Sequence, residues 1–523
     1  MKKSDMTNYM GETGSQDRNR DPRHSSLPSI IRKAWLSLGL CAALGLCGCS
    51  SQGGGAGSAG GSAPADTGAL TDGNALADAD APTDGNALAD TDAPTDGNAL
   101  TDTDTLAGIK KLSGFSSQGE NGALSDGKTD QNGSHGDKPM IQGGASPADA
   151  STVTDFALRL FRETLSSEQS KATGDAGKNI LVSPASVLFA LSMTANGADN
   201  NTLAQMEEAL GASVTSLNSY LQEYRTSLPE GDGYKLNIAN SIWFKDDPDF
   251  TVNQDFLTAN GTWYDADIYQ APFDASTLKA INKWVSDSTD GMIPGILDSI
   301  PKDAIMYLIN GIAFDAEWSS IYREYQIHEA DFTEEDGTVC RTEFMYADEY
   351  AYLQDDNAQG FLKYYKDRKY AFAALLPNEG ISVSEYVKSL DGAALREMLS
   401  NPVSVPVKTA IPKFEAEYSV EMSEMFKNLG MTDAFDGGLA DFSRLGGYTD
   451  ENLFINRILH RTYIAVDERG TKAGAATAVE MQKTSAALPQ NEKEVYLDRP
   501  FVYLIIDCEE NMPIFIGTLM SVK

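Results

Sequence analysis

The residue types that most often carry out hydrolysis or group transfer are scarce in this 523-residue chain. The four histidines are His24, His135, His328 and His460. His460 shares one face of a strand-like run with apolar residues and threonine, which favours a hydrogen-bonded core histidine over a general base. The body of the sequence contains no nucleophile elbow, zinc-protease helix, phosphate loop or dinucleotide turn. A pair of carboxylates for glycoside hydrolysis stays open as an alternative kind of site, although no motif indicates one.

One cysteine has a neighbourhood that suggests covalent modification. The apolar run AWLSLGLCAALGL at 34–46 follows several basic residues and is short for a membrane span, as is typical of a signal peptide. Leu-Cys-Gly-Cys at 46–49 resembles the bacterial lipoprotein processing box. We therefore predict a signal peptide over residues 1–48 and a lipid on Cys49, which would hold the protein on the outside of a bacterial cell. A secreted soluble protein is the alternative.

Residues 49–150 have the composition of an unfolded spacer. A Gly/Ser stretch precedes three twelve-residue units that begin TDGNAL and span 71–106. Such short units bury too little apolar area to fold, and their Asp spacing does not match an EF-hand loop, so we favour a solvated acidic spacer over a calcium site. The formal net charge of −35 makes nucleic acid a poor partner.

The remaining sequence, residues 151–523, predicts one globular domain. A helical pattern begins with Ser-Pro at 183 and ends at Gly211. Later runs of β-branched and aromatic residues bounded by turn residues predict strands. The main runs are YKLNIANSIWF, MYLINGIAF, YAFAALLP, VSVPVKTAIPKF, LFINRILHRTYIAV and PFVYLIIDC. Early helices and late strands indicate an α+β fold with large sheets. Residues 151–523 contain two cysteines, Cys340 and Cys508, which are too few for a disulfide framework or a zinc site. A single disulfide between them stays open as an alternative.

Between two of these strand-like runs lies VDERGTKAGAATAVEMQKTSAALPQ, at 466–490. If residues 471–480 formed a central strand, alternation would put Lys472 and Glu480 on one face. The other face would carry Thr471, Ala473, Ala475, Thr477 and Val479. This uncharged face suits burial in a sheet, yet its small side chains expose little apolar surface outside one. An Ala-rich surface loop would show the same pattern by modest coincidence, so the pattern alone does not decide.

The tract resembles the proximal hinge of the reactive-centre loop of serpins, with an acidic residue, Gly-Thr and a run of small residues. The matching hinge positions are Glu468, Gly470, Thr471, Ala473, Gly474, Ala475, Ala476 and Thr477. Further motifs follow in the family's order: NILVSPASVLFALSMTANGADNNTLAQMEEALG, INKWVSDSTDGMIPGIL, LINGIAFDAEW, IPKF, LHRTYIAVDERGT and RPFVYLIID. The resemblance covers about residues 150–523. Lys472 departs from it, because the family usually has Glu there.

The resemblance implies the serpin fold: a large mixed β-sheet, further sheets, surrounding helices and an exposed reactive-centre loop. It implies a suicide-substrate inhibitor of serine, or cysteine, endopeptidases, whose cleaved loop enters the large sheet as a new strand. The implied partner is an elastase-like, subtilisin-like or trypsin-like serine protease, and the inhibitor would be a monomer without cofactor or metal. The alternative is a non-inhibitory serpin-fold surface binding protein, but hinges of such members commonly carry charged or bulky residues.

The resemblance also implies two polar groups in the large sheet. The shutter, beneath the opening strands, would consist of Ser183, Ser186, Asn310 and His460. The breach, at the top, would contain Trp318 and Lys413, and Lys413 would pair with Glu468.

The position of the reactive bond follows from the family's register. Counting seventeen residues from Glu468 places it at Thr484–Ser485, and one residue earlier gives Lys483–Thr484. The stretch from Thr484 to Pro500 is several residues longer than is typical of the family, so both bonds stay open.

Overall fold

The computed structural model describes residues 38–48, 108–115, 147–171, 177–229, 231, 233–449, 451–471 and 491–522. In these ranges the chain forms nine α-helices, three short 3₁₀ helices and nineteen strands. No helix in them is both long enough and apolar enough to cross a membrane.

Six of the helices lie in the first half of the domain and three in the second half. They are α1 (Ala150–Lys171), α2 (Pro184–Ala195), α3 (Asn200–Leu210), α4 (Val214–Ser227), α5 (Gln254–Tyr264), α6 (Ala275–Ser288), α7 (Val383–Ser389), α8 (Gly392–Ser400) and α9 (Ser423–Asn428). The 3₁₀ helices are Glu324–Gln326, Lys366–Arg368 and Asp433–Phe435.

The strands dominate the second half. They are β1 (Leu38–Gly48), β2 (Lys110–Leu112), β3 (Ile180–Val182), β4 (Tyr234–Lys245), β5 (Phe250–Val252), β6 (Asp267–Ala271), β7 (Ala304–Glu317), β8 (Ile327–Thr333), β9 (Val339–Gln354), β10 (Ala358–Tyr364), β11 (Tyr370–Pro377), β12 (Val403–Pro412), β13 (Phe414–Glu421), β14 (Gly446–Tyr448), β15 (Leu453–Val466), β16 (Gly470–Thr471), β17 (Lys493–Tyr496), β18 (Phe501–Asp507) and β19 (Met512–Leu519).

Two large sheets stack on a shared core. Sheet A contains β1, β2, β4, β6, β7, β13, β15 and β16, and sheet B contains β3, β8, β9, β10, β11, β12, β17, β18 and β19. β5 and β14 form a separate pair. Sheet A is mixed, because β4 pairs with β6 in parallel while β7 pairs with β4 in antiparallel fashion. The predicted α+β fold with a large mixed sheet is confirmed.

The core between the sheets is built from aromatic residues and one wholly buried helix. Phe314 of sheet A lies with its ring centroid 5.1 Å from that of Tyr365 and 5.3 Å from that of Tyr370. All twelve residues of α2 are buried, and the helix contacts both β7 and β19. A helix that is apolar on all sides is stable only when it is enclosed.

The helical pattern predicted over 183–211 forms two helices instead of one. Ser183 caps α2 by accepting the N–H of Ser186, and Pro184 occupies the first helical position. The chain leaves the helix after Ala195 and re-enters at Asp199, whose carboxylate accepts the N–H of Asn200. Helical periodicity alone did not reveal this break, because the apolar spacing continues across it.

Sheet A has a slot between β7 and β15, and the site described below depends on it. In the described part of the chain these strands are bridged by other strands, with β16 at one end and β1 along the rest. Both bridging strands run antiparallel to both neighbours. Leu38–Gly48 lies within the predicted signal peptide, and removal of that peptide stays a prediction.

Residues 108–115 lie within the predicted spacer and pack against the folded body. β2 pairs with β6 at the edge of sheet A, and Lys111 Nζ lies 2.6 Å from the carboxylate of Asp267. The physical reason is composition, because Ile109, Leu112 and Phe115 are large apolar residues that pack against the core.

Candidate functional site

The predicted hinge begins at a tight turn after β15. The Asp467 carboxylate accepts the backbone N–H of Arg469 at 2.8 Å and that of Gly470 at 3.2 Å, and the chain reverses. Thr471 then pairs with Val466 on one side and Ala316 on the other. We call residues 467–470 the hinge turn. It delivers the chain into the top of the slot.

Only glycine fits at the entrance to the slot. A Cβ atom on Gly470 would lie 2.0 Å from the carbonyl oxygen of Ala316 and 2.9 Å from the Cα of Glu317. Both obstacles are backbone atoms of β7, which a side-chain rotation cannot move.

The hinge turn is held by a short segment that follows β7. The Trp318 indole donates to the carbonyl of Asp467, and the Trp318 backbone N–H donates to that of Arg469, each at 2.8 Å. The N–H of Tyr322 donates to the carbonyl of Glu468, also at 2.8 Å. We call these three bonds the hinge clamp. They bind three consecutive carbonyls and so define where the hinge strand starts.

An ion pair lies beside the clamp. Lys413 Nζ is 3.0 Å from the carboxylate of Glu468 and 3.1 Å from that of Glu343. Burial disfavours the charge on Glu468, but a backbone hydrogen bond and the Lys413 ammonium outweigh it and lower the pKa of the carboxyl. The sequence-based expectation that Lys413 and Glu468 pair therefore corresponds to a direct contact in the structure.

The first hinge residue in the sheet points into the core. The Thr471 side chain is fully buried, and its hydroxyl shares a 2.5 Å hydrogen bond with that of Tyr365. The ring of Tyr365 stacks on Trp318 with centroids 4.4 Å apart. Thr471 thus determines which face of a longer hinge strand would be buried.

The predicted shutter residues lie at the middle of the slot and at the start of α2. The backbone N–H of Ser183 donates to His460 Nε2 at 3.2 Å. Asn310 instead donates to Asn240 Oδ1 at 2.8 Å, across the β4–β7 pair. His460 and Asn310 both stand opposite Ala42 of β1, one on each side of the slot.

These shutter groups are buried and incompletely satisfied. Among the described residues, the Ser186 hydroxyl, Asn310 Oδ1 and His460 Nδ1 have no hydrogen-bond partner. Burial lowers the pKa of His460 to about 3, because the charged imidazolium would lose its hydration there. His460 is therefore neutral at physiological pH, as expected of a core histidine.

Comparison with known proteins identifies this arrangement. The profile described as "Serpin (serine protease inhibitor)" matches residues 151–522. The chain belongs to the serpin family. The leukocyte elastase inhibitor of Equus caballus is 30% identical to this serpin, covering 70% of this chain and 98% of that protein. The plasma serine protease inhibitor of Bos taurus is 29% identical, covering 69% and 88%.

A solved structure is similar in both sequence and shape. The thermophilic serpin tengpin in its native state is 44% identical to this serpin, with a TM-score of 0.65 and coverage of 72% of this chain and 97% of tengpin. The family consists mostly of protease inhibitors.

Several predicted site residues of this serpin lie outside the described residues. These are Cys49, Ala473, Gly474, Ala475, Ala476, Thr477, Lys483, Thr484 and Ser485. The reactive bond and the lipid attachment site therefore stay predictions.

Sequence reasoning missed several residues that the structure places at the site. Tyr322, Tyr365 and Asn240 contact predicted site residues directly. Lys363 was also missed, although it is a lysine within the strand-like run GFLKYY and lies beneath the clamp. A charged residue within a buried apolar strand is a usable signal, because it must find a partner.

We predict that Gly470→Ala weakens the start of the hinge strand. The added methyl group would force β16 away from Ala316, and overpacking of this kind typically lowers the free energy of unfolding by about 1–3 kcal/mol. Gly447→Ala is the matched control, because no atom lies within 4 Å of a Cβ placed there. Thermal denaturation of both variants tests this, and equal destabilisation would contradict it.

We predict that His460 makes stability fall in mild acid. Its pKa is about 3 in the folded protein and about 6.5 when unfolded, so between these values only the unfolded chain binds the proton. Its contribution is fully present above pH 6.5 and is lost as the pH falls towards 3. From pH 7 to pH 5 the loss should be about 2 kcal/mol.

His460→Gln should remove this part of the pH dependence, because glutamine does not titrate. Denaturation at pH 7 and pH 5 compares the two proteins. If wild type and variant lost the same stability between these pH values, protonation of His460 would not be the cause.

Proposed function

We propose that this serpin inhibits a serine endopeptidase as a suicide substrate, by cleavage of its reactive loop and insertion of the loop into sheet A. The observation that carries the proposal is the hinge strand itself. β16 already lies between β7 and β15, and its last residue, Thr471, is buried towards the core. Insertion would continue a strand that has already started.

The register of the slot supports this proposal. Extending β16 residue by residue would place position 473 opposite Phe314 and position 474 opposite Ala313 and Tyr463. In β1, Leu38 stands opposite Phe314, and Gly39 stands opposite Ala313 and Tyr463. Loop residues 473–480 would thus take the places that residues 38–45 occupy. The slot accommodates a strand of the required direction and register, and removal of the leader would free it.

The two faces of such a strand would meet different surroundings. Position 475 would stand between Ile312 and Thr462, both fully buried. Position 476 would stand between Gly311 and Arg461, whose side chain is 31% exposed. Alternation from Thr471 thus assigns the uncharged face of the tract to the core.

The proposed reaction begins as ordinary proteolysis. The serine hydroxyl of the protease attacks the carbonyl carbon of Thr484 or Lys483, the peptide C–N bond breaks, and the new amine leaves with a proton. An ester joins the protease to the inhibitor. Insertion of the loop would then carry the enzyme along and distort it before water hydrolyses the ester. At about 3.4 Å per residue, residues 471–484 would extend roughly 45 Å.

We call the reactive bond the bait bond and the residue on its amino side the bait residue. The bait residue determines which class of protease can cleave the loop. Thr484 would suit the small specificity pocket of elastase-like or subtilisin-like enzymes, whereas Lys483 would suit trypsin-like ones. We favour Thr484–Ser485, on the family's register from Glu468. The alternative, a non-inhibitory serpin-fold surface binding protein, predicts simple cleavage without a stable complex.

The deciding experiment is incubation of the protein, purified after removal of residues 1–48 so that β1 no longer occupies the slot, with elastase-like, subtilisin-like and trypsin-like proteases. We expect one of them to form a covalent complex that survives denaturing electrophoresis. Mass spectrometry of the released peptide should give a first residue of Ser485, or of Thr484 if Lys483 is the bait. Cleavage by every protease without any complex would refute the inhibitory function.

We predict that Ala475→Glu turns the inhibitor into a substrate. A carboxylate on the buried face costs several kcal/mol of desolvation unless it is paired, so insertion slows while the bait bond remains accessible. Ala476→Glu is the matched control, because the same charge would lie beside Arg461. Gel densitometry should show cleaved inhibitor replacing complex only for Ala475→Glu. Equal complex yields in the two variants would show that the assigned faces are wrong.

We also propose that lipid on Cys49 holds this serpin on the outside of a bacterial cell. The order of segments along the sequence supports this proposal: the apolar run at 34–46 comes first, followed by the processing box, the spacer and the folded domain. A thioether diacylglycerol with an amino-terminal acyl chain supplies the more than one chain that stable anchoring needs.

Cys49→Ala should release the protein into the medium or leave the precursor uncleaved, whereas Cys340→Ala should not change its location. Detergent phase partition and mass spectrometry of the mature amino terminus measure this. A wild-type protein in the aqueous phase, with an amino terminus elsewhere, would favour the secreted alternative.

A further inference from the structure

A buried lysine lies beneath the hinge clamp and belongs to none of the predicted groups. The side chain of Lys363, on β10, is 2% exposed. Its ammonium lies 2.8 Å from the carboxylate of Glu349 on β9 and donates to the carbonyl of Ser320 at 3.3 Å. Lysine is almost never buried to this degree unless its charge is paired, as it is here with Glu349.

Two aromatic rings complete the surroundings of this charge. Lys363 Nζ lies 4.3 Å from the ring centroid of Tyr322 and 5.3 Å from that of Trp318. A cation at these distances is attracted to the faces of both rings. The contacted residues are the two donors of the hinge clamp, so the ammonium supports the groups that hold the hinge turn.

The two residues that follow Lys363 also contact the segment that forms the hinge clamp. The N–H of Ser319 donates to the carbonyl of Tyr364 at 3.0 Å, next to Lys363 in the chain. The following residue, Tyr365, stacks on Trp318 and bonds the hydroxyl of Thr471. Lys363 and the residues that follow it thus contact the clamp segment at Trp318, Ser320 and Tyr322.

We propose that Lys363 is a positioning residue for loop insertion, acting through Trp318 and Tyr322. Its charge holds the two rings so that the clamp keeps the Asp467, Glu468 and Arg469 carbonyls in place. With the clamp loose, the hinge strand starts out of register and insertion slows. Because insertion competes with hydrolysis of the acyl-enzyme, more protease then escapes. The inference rests on the proposed inhibitory function.

The test removes the charge without leaving its partner unpaired. In the double variant Lys363→Met with Glu349→Gln, both charges are gone and the side-chain volumes are nearly kept. Lys363→Arg is the conservative variant, since it retains the cation. Lys427→Met is the matched control, because Lys427 lies on α9 and pairs with the exposed Glu424.

The first readout is the number of inhibitor molecules consumed per protease inactivated, with whichever protease forms the covalent complex with wild type. We expect at least a threefold rise for the double variant, near wild-type values for Lys363→Arg, and no change for Lys427→Met. The rate of loop cleavage should stay within twofold of wild type, because the bait bond is untouched. An unchanged stoichiometry, or a cleavage rate that falls in parallel, would overturn the proposal.

A second readout does not depend on any protease. The amides of Arg469 and Gly470 are bonded to Asp467 in the hinge turn, so their hydrogen exchange reports on the clamp. We expect exchange at least tenfold faster in the double variant and unchanged exchange in Lys427→Met. If wild type inhibits no protease, the proposed function fails, yet this comparison still decides whether Lys363 holds the turn.

Tyr322→Leu covers the case in which the double variant does not fold. This change keeps the backbone N–H that bonds Glu468 and removes only one aromatic face from the ammonium. Stoichiometry and exchange should change in the same direction as in the double variant. Wild-type values for both would overturn the proposal.

Discussion

The facing edges of β7 and β15 constrain the rest of sheet A. Each edge carries a row of backbone N–H and C=O groups, and burying such groups without partners costs free energy. β16 satisfies both edges at residues 470–471, and β1 satisfies them along the rest of the slot. A strand that continued from the hinge turn would satisfy the same groups. In the proposed mechanism, these edges would therefore supply the backbone partners that favour insertion of the cleaved loop.

The lining of the slot favours an uncharged face on any strand that lies between β7 and β15. Leu308, Ile312 and Phe314 on β7 and Ile464 on β15 are fully buried, and Phe314 packs against the rings of Tyr365 and Tyr370. β1 carries Leu38, Leu40 and Leu44 at the register positions that 473, 475 and 479 would take, so this face of the slot excludes charge more strictly than size. A strand of alanine, glycine and threonine gains stability mainly from backbone pairing. Outside the sheet, its small side chains expose little apolar surface to water.

Much of the fold could be predicted from sequence where a pattern was local. The run LFINRILHRTYIAV became β15 and YAFAALLP became β11, because period-two and apolar runs depend on neighbours in the chain. The break between α2 and α3 was missed, since apolar spacing continues through it and only the cap at Asp199 marks it.

Features that depend on distant segments could not be predicted in the same way. The pairing of β2 with β6 and the enclosure of Lys363 by Glu349 and two aromatic rings arise only when separate parts of the chain meet. The site residues were assigned by family resemblance. The structure places the predicted shutter residues Ser183 and His460 in direct contact, while Asn310 bonds Asn240.

The polar groups in the middle of the slot show how the fold balances stability against change. His460 Nδ1 and Asn310 Oδ1 lack partners among the described residues, and each buried unsatisfied group costs about 1–3 kcal/mol. The two residues stand on opposite sides of a single strand residue, Ala42, so closing the slot would bring them together and let them satisfy one another. Opening the slot would then break that contact before the inserting strand supplies its own bonds. If the loop inserts as proposed, such an order of events would place a barrier between the two arrangements, and the closed form would persist for kinetic reasons although the inserted form has the better-paired sheet.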